Sequence, residues 1–201
     1  MFDRAATTLI KPAINRLAAL LAGVGMGANL MTMLGFAIGM GAAVLIASGL
    51  FVAGAAAILL SRLCDGLDGA IARRTHSSDA GGFLDIALDF VFYAAIPLAF
   101  ALADPTRNAL AAALLLAAFC GTMSSFLAFA VIAAKRKMDS LAWPDKSFYF
   151  LGGLTEATET LVCFVAMCFW PQHFPLLAEI YAGLCAITTA TRIWWGWRAF
   201  S

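Results

Sequence analysis

The feature that most limits what this chain can become is a succession of apolar runs, each near the length that crosses a bilayer, divided by short polar or Gly/Pro-rich breaks. A spanning helix needs about 20 mostly apolar residues, because lipid offers its backbone no hydrogen-bond partners. By that measure the runs at about 30–49, 51–73, 82–102, 108–134, 148–170 and 174–197 are expected to span. Hydrophobic residues make up 63% of the 201 and charged residues 12%, with a mean hydropathy of +0.89, which leaves too little polar surface for a soluble domain. The expected fold is therefore an all-α integral membrane protein. Residues 1–201 read as a single membrane domain, in which 1–28 form a juxtamembrane helix and linker and 30–197 a six-helix bundle. In the first of these, Arg4, Lys11 and Arg16 are spaced among Leu9, Ile10, Ile14, Leu17 and Leu20, as in an amphipathic helix lying at the interface. Gly23, Gly25 and Gly27 break that helix, and Asn29 or Thr32 is expected to cap the first span. No cleavable signal is evident, so the first span is expected to direct insertion.

Where the charges sit matters more than their total. The 13 Lys and Arg against 12 Asp and Glu leave a formal charge of +1, which gives no basic field to draw nucleic acid. With the N-terminus inside, the inner segments carry Arg4, Lys11, Arg16, Arg73, Arg74, Lys135, Arg136, Lys137, Lys146 and Arg198, and the outer loops only Arg107. The positive-inside rule then places both termini in the cytoplasm. The five cysteines, Cys64, Cys120, Cys163, Cys168 and Cys185, stand singly in apolar runs without histidine companions and read as packing residues.

Against this apolar background, Asp65, Asp68, Asp85 and Asp89 fall within or at the edge of the second and third spans, where ionised groups are costly and usually functional. Asp65, Asp68, Gly69, Ala72 and Arg73 follow helical spacing and share one face, and Asp85 and Asp89 lie one turn apart on the next span. A cytosolic turn through Thr75, His76, Ser77, Ser78 and Asp79 would bring the two faces together near the inner membrane surface. Clustered carboxylates either take up protons or bind a cation, and oxygen-only ligation favours a hard ion such as Mg²⁺ or Mn²⁺. Gly69 and Ala72 leave room for a ligand against the helix, and Arg73 offers a fork suited to phosphate. Acids, small residues and guanidinium together describe a site for metal and diphosphate.

The pattern Asp65-x-x-Asp68-Gly69-x-x-Ala72-Arg73, followed by Gly81-x-x-x-Asp85-x-x-x-Asp89, resembles the signature of the CDP-alcohol phosphatidyltransferases. A signature fixed at this many positions is specific. Over its length, including Lys146-Ser147-Phe148-Tyr149 and Gly152-Gly153-Leu154-Thr155-Glu156, the chain also resembles a bacterial inner-membrane subgroup of that family. The resemblance implies six spans with an N-terminal juxtamembrane helix, a homodimer and a cytosol-facing site for a CDP-linked lipid donor. It implies a transferase that moves a phosphatidyl-type group from a donor such as CDP-diacylglycerol, or a CDP-amino-alcohol, to an alcohol and releases CMP. Carried onto these residues, it makes Asp65, Asp68 and Asp85 ligands to a pair of Mg²⁺ or Mn²⁺ ions, and Asp89 a bridging ligand or the general base. Gly69, Ala72, Arg73 and Gly81 would line the CDP pocket. Seven residues separate Arg73 from Gly81, one fewer than the usual spacing, so Gly81 and Gly82 both remain candidates for the cytidine.

The acceptor must be read from residues outside the signature. Lys146 and Arg192, with the basic run Lys135, Arg136 and Lys137, would suit a phosphate-bearing acceptor such as glycerol 3-phosphate or inositol phosphate, although ordinary positive-inside anchoring is the better explanation of the run. Glu156 and Glu159 on the fifth span could pair with Lys146 or Arg192, bind a polar acceptor or add to the metal site. Arg62, one turn before Asp65, is expected to pair with an acidic neighbour in a structural role. Trp143, Trp194, Trp195 and Trp197 fit an inner aromatic belt and Trp170 an outer one. Gly121, Ser124 and Ser125 read as close-packing residues, within the chain or at a dimer contact. His76 and His173 lack partners for metal or triad chemistry. A transporter with an acidic relay, or a catalytically silent scaffold, are the alternative readings.

Overall fold

The computed structural model describes residues 2–136 and 154–201, and among them the secondary structure is helical throughout, with no strand. Seven α-helices run in order: α1 (Phe2–Gly23), α2 (Ala28–Ala47), α3 (Phe51–Ala72), α4 (Asp79–Ala103), α5 (Pro105–Lys135), α6 (Ala157–Phe169) and α7 (Phe174–Phe200). A single 3₁₀ turn, Pro171–His173, leads into α7. Among the described residues, four stretches, Ala28–Ala47, Asp79–Ala103, Pro105–Lys135 and Pro171–Phe200, are long and apolar enough to cross a membrane. At 22 residues α3 matches them in length, but it carries Arg62, Asp65 and Asp68, so charge alone sets it apart.

Several helix ends differ from the sequence expectation. The N-cap of α2 is Gly27 rather than Asn29 or Thr32, and Gly25, at φ +83°, makes the left-handed turn that a side chain would disfavour. The fourth helix begins at Asp79, before the expected 82, because the Ser78 side chain caps it by accepting from the Gly81 N–H at 3.1 Å. The expected helical start near 148 lies outside the described residues. Of the described part, residues 154–156 are not helical, and α6 starts only at Ala157.

Close packing of α2 fixes the half of the bundle that matters for function. Its buried stripe is Met31, Gly35, Gly39, Ala42 and Ile46. A Cβ on Gly35 would come within 3.0 Å of the Cys64 Cβ, and one on Gly39 within 2.6 Å of the Phe92 ring and 2.9 Å of Ser61 Oγ. Small residues at this spacing let helix backbones approach in an apolar medium, where lipid and leucine are equally greasy and contact must come from fit. The close approach lets Ser61 Oγ donate to the Gly35 carbonyl at 2.7 Å.

The rest of the bundle is held by aromatic rings and a second small-residue seam. Phe92 and Phe164 meet edge to face, Tyr93 and Phe119 likewise, and Phe100 stacks on Phe174 with centroids 4.5 Å apart. Gly121 of α5 packs against Thr189 of α7, so that glycine closes a contact within the chain. Ser124 and Ser125 donate to carbonyls of their own helix. Cys64, Cys168 and Cys185 are buried free thiols, in keeping with a packing role, while Cys120 is exposed. Outward, Val52, Leu110, Val131 and Trp197 are well exposed, as a lipid-facing surface requires. The described part of α1 lies against α3, with Ala18 fully buried beside Leu67 and Ile71.

Gly39→Ala is expected to destabilise the protein by about 1–3 kcal/mol, because its methyl group has no room against Phe92. Gly41→Ala, where nothing lies within 4 Å, should not destabilise it. Thermal unfolding of the two variants in detergent checks the contrast.

Candidate metal and diphosphate site

Two antiparallel helices and the short turn 73–78 between them bring the acids together. Asp65 and Asp68 stand on the last turns of α3, and Asp85 and Asp89 on the first turns of α4. One carboxylate oxygen from each of Asp65, Asp68 and Asp85 lies within 4.8 Å of the others, a donor set that fits one hard divalent ion. Asp68 is the most buried, 5% exposed, and its Oδ2 accepts from Thr32 Oγ1 at 2.7 Å. Thr32, expected only as a helix cap, thus reaches across from α2 to steady a carboxylate on α3. The packing of Gly35 and Gly39 makes that reach short enough. Gly35 and Phe36 of α2 and Leu88 of α4 complete the cleft beside Asp65, Asp85 and Asp89.

Asp89 stands in a different relation to the group. Its Oδ1 accepts from Arg62 Nη1 at 2.6 Å, while the same nitrogen is 3.4 Å from Asp65 Oδ1. Arg62 is largely buried and lies over the Phe92 ring, 4.2 Å from its centroid. A guanidinium so placed combines charge pairing with cation–π contact, and it stays charged in any plausible surroundings. The expected pairing of Arg62 with an acid is therefore present, and it engages two of the four aspartates at once.

The residues expected around the nucleotide lie at the same end of the helix pair. Arg73 is the exposed C-cap of α3. Gly69 sits one turn before it, and a Cβ there would meet nothing nearer than Arg73 Nη1 at 3.4 Å. Gly81 and Gly82 differ: a Cβ on Gly81 would come within 2.8 Å of Asn29 Oδ1, whereas one on Gly82 meets nothing within 4 Å. A side chain at 81 would have to displace the end of the exposed Asn29 side chain on α2, and one at 82 would displace nothing within the chain.

The basic and acidic residues expected at the acceptor divide. Lys137 and Lys146 lie outside the described residues. Arg136 Nη2 donates to the Phe200 carbonyl at 2.5 Å, tying the end of α5 to the end of α7. Arg192 Nη1 donates to the Thr122 carbonyl at 3.1 Å and lies within electrostatic reach of Glu156. Glu156 is the N-cap of α6 rather than part of the helix, and its N–H donates to Glu159 Oε2 at 3.2 Å in a capping box. Nearby, Thr155 donates to Thr188 at 3.0 Å, and Thr160 and Tyr181 share a hydrogen bond of 2.7 Å, so polar groups line the inner faces of α6 and α7.

A profile of the CDP-alcohol phosphatidyltransferases matches residues 26–195. The chain belongs to the CDP-alcohol phosphatidyltransferase family. It is 51% identical over 197 residues to inner membrane protein YnjF of Escherichia coli (strain K12), covering 98% of this chain and 96% of that protein. In fold it is similar to phosphatidylinositol phosphate synthase of Mycobacterium tuberculosis. With CDP-DAG bound, that enzyme aligns at a TM-score of 0.73 and 22% identity over 92% of this chain and 93% of its own. Its complex with manganese and citrate aligns at 0.72 and 22% identity, over 92% of this chain and 88% of its own. Members of the family are transferases, and the fold that this chain shares with the synthase holds its aspartate triad at the junction of α3 and α4.

Thr32→Val is expected to weaken Mn²⁺ binding by about 10–100-fold, since Asp68 loses the hydroxyl that orients it. Calorimetric titration of the purified variant against the wild type measures the loss.

Proposed function

We propose that this chain is a phospholipid-biosynthetic transferase of the inner membrane, moving a phosphatidyl-type group from a CDP-linked lipid donor to an alcohol and releasing CMP. The observation that carries the reading is the meeting of Asp65, Asp68 and Asp85 within 4.8 Å, in a chain of this family, beside the small residues and arginine at the ends of α3 and α4. Residues 1–201 then act as a single domain of six spans behind a juxtamembrane helix, with both termini and the site on the cytosolic side and a homodimer as the working form. The basic residues at the α3–α4 turn and at the end of α5 support that orientation.

In this reading Asp65, Asp68 and Asp85 hold Mg²⁺ or Mn²⁺, Arg73 grips the donor diphosphate, and Gly69, Ala72 and Gly81 or Gly82 admit the nucleotide. A divalent ion bound there supplies charge that screens the diphosphate, polarises the phosphorus under attack and steadies the departing CMP. Asp89 acts as the general base. Arg62 holds its Oδ1, so Oδ2 is the atom that takes the hydroxyl proton of the acceptor. As that proton leaves, the acceptor oxygen bonds to the lipid-side phosphorus, and the bond from that phosphorus to the bridging oxygen of CMP breaks with its electron pair. Attack is direct, with no covalent enzyme intermediate. Lys146 and Arg192, with Glu156 and Glu159, serve the acceptor end, which suits an alcohol carrying a phosphate.

The purified protein, given CDP-diacylglycerol, Mg²⁺ or Mn²⁺ and a panel of alcohols and phospho-alcohols, is expected to release CMP with at least one acceptor. Metal and nucleotide binding without turnover would favour a silent scaffold, and solute transport without CMP release a transporter. Asp89→Asn is expected to abolish turnover and leave metal-dependent binding of the CDP-lipid largely intact; normal turnover in that variant would remove Asp89 from the base role. Lys146→Ala should raise the KM of a phosphorylated acceptor well above its effect on the donor, and equal effects on both would count against that assignment.

A further inference from the structure

A cluster of four carboxylates in a site read as metal-binding invites a pair of divalent ions, yet these four are not equivalent. Asp65, Asp68 and Asp85 converge on one point. Asp89 is engaged instead by Arg62, whose Nη1 stands 2.6 Å from Asp89 Oδ1 and 3.4 Å from Asp65 Oδ1. Arg62 is no surface residue that happened to fold inward. Its side chain is only 13% exposed, and its guanidinium rests on the Phe92 ring at 4.2 Å, while Nη2 lies 3.4 Å from Ser61 Oγ. Phe92 and Ser61 are fully buried and are the same two side chains against which Gly39 packs. The arginine is therefore built into the floor of the site by the contact that joins α2, α3 and α4.

We propose that Arg62 is a permanent counter-ion standing in the place of a second metal, so that the chain without nucleotide binds one divalent ion, at Asp65, Asp68 and Asp85, and not two. The inference rests on the metal-dependent reading above and adds to it a count and a residue. Arg62 keeps its charge at any pH the protein meets, so it neutralises one acid without needing an ion from solution. A divalent ion seated between Asp65 and Asp89 would be pressed against the guanidinium at close range in a partly desolvated cleft, where like charges repel strongly. Any further ion would need oxygens brought by the diphosphate of the donor. Arg62 thus acts as a positioning residue: it fixes Asp89 beside the loaded triad and keeps that carboxylate out of the resting metal shell.

The test is a count of bound Mn²⁺ on the purified full-length protein in detergent, without nucleotide, from the loss of the free-ion signal in electron paramagnetic resonance. The wild type is expected to bind one ion per chain, and Arg62→Met, which keeps length and contact with Phe92, two, with the broadened signal of neighbouring ions. Asp89→Asn should leave the count at one and lower the affinity less than Asp85→Asn, which removes a ligand and should lower it at least tenfold. Two ions in the wild type, a count still at one in folded Arg62→Met, or binding weakened as much by Asp89→Asn as by Asp85→Asn would each overturn the proposal while leaving a metal site in place. No bound Mn²⁺ in the wild type would instead remove the metal-dependent reading on which it rests. Should Arg62→Met fail to fold, the wild-type count and the comparison of Asp89→Asn with Asp85→Asn still decide the matter.

Discussion

Carboxylates gathered in a largely apolar bundle repel one another and lose hydration, so the joining of α3 to α4 requires compensation at the point where Asp65, Asp68, Asp85 and Asp89 meet. Two protein groups supply part of it. The Thr32 hydroxyl donates to Asp68, and the Arg62 guanidinium pairs with Asp89 and approaches Asp65. Both depend on the backbone approach that Gly35 and Gly39 permit, since it brings Thr32 to α3 and sets Phe92 beneath Arg62. Four acids against one guanidinium still leave negative charge in excess, and a divalent cation is the natural remainder of the balance. Small-residue packing on α2 and the chemistry on α3 and α4 are thus one arrangement.

Much of this was legible in the sequence because its signals are local. The apolar runs mark the helices, and the spacing of Asp65 and Asp68, like that of Asp85 and Asp89, marks shared faces that a short turn must bring together. What escaped is non-local or lies at helix ends. Nothing in the residues around Thr32 says that a carboxylate 36 positions later will accept its hydrogen bond, and the glycines that bring the two together look like ordinary span residues until a neighbour fills the space above them. Arg62 was readable as some acid's partner, but the choice of Asp89 and the ring beneath it needed the tertiary fold. Glu156 and Glu159 were expected on one helix face; the structure makes Glu156 the N-cap, a position that serine, threonine, aspartate or asparagine would have advertised better.

The fold divides the labour between its halves. α2, α3 and α4 carry the acids and the small residues beside them, where the signature of the family is concentrated. Gly121 against Thr189 joins α5 to α7, the Phe100–Phe174 stack ties α7 back to α4, and a different set of polar groups gathers around Thr155, Thr188 and Arg192. Such a division suits a reaction in which one substrate class is common to a family and the other varies. Under the proposed reaction the end that takes metal and diphosphate is prescribed by chemistry, whereas the partner end can change without disturbing the acids.

The central claim is that carboxylates from α3 and α4 jointly hold a divalent cation in a cleft open to a nucleotide. Anomalous diffraction from crystals of the protein grown with Mn²⁺ and CDP tests it most directly. The account predicts a manganese peak about 2.0–2.3 Å from oxygens of Asp65, Asp68 and Asp85 together, with the nucleotide diphosphate adjoining it. A peak bound by residues elsewhere, or aspartates turned away from one another with the nucleotide shut out, would contradict it.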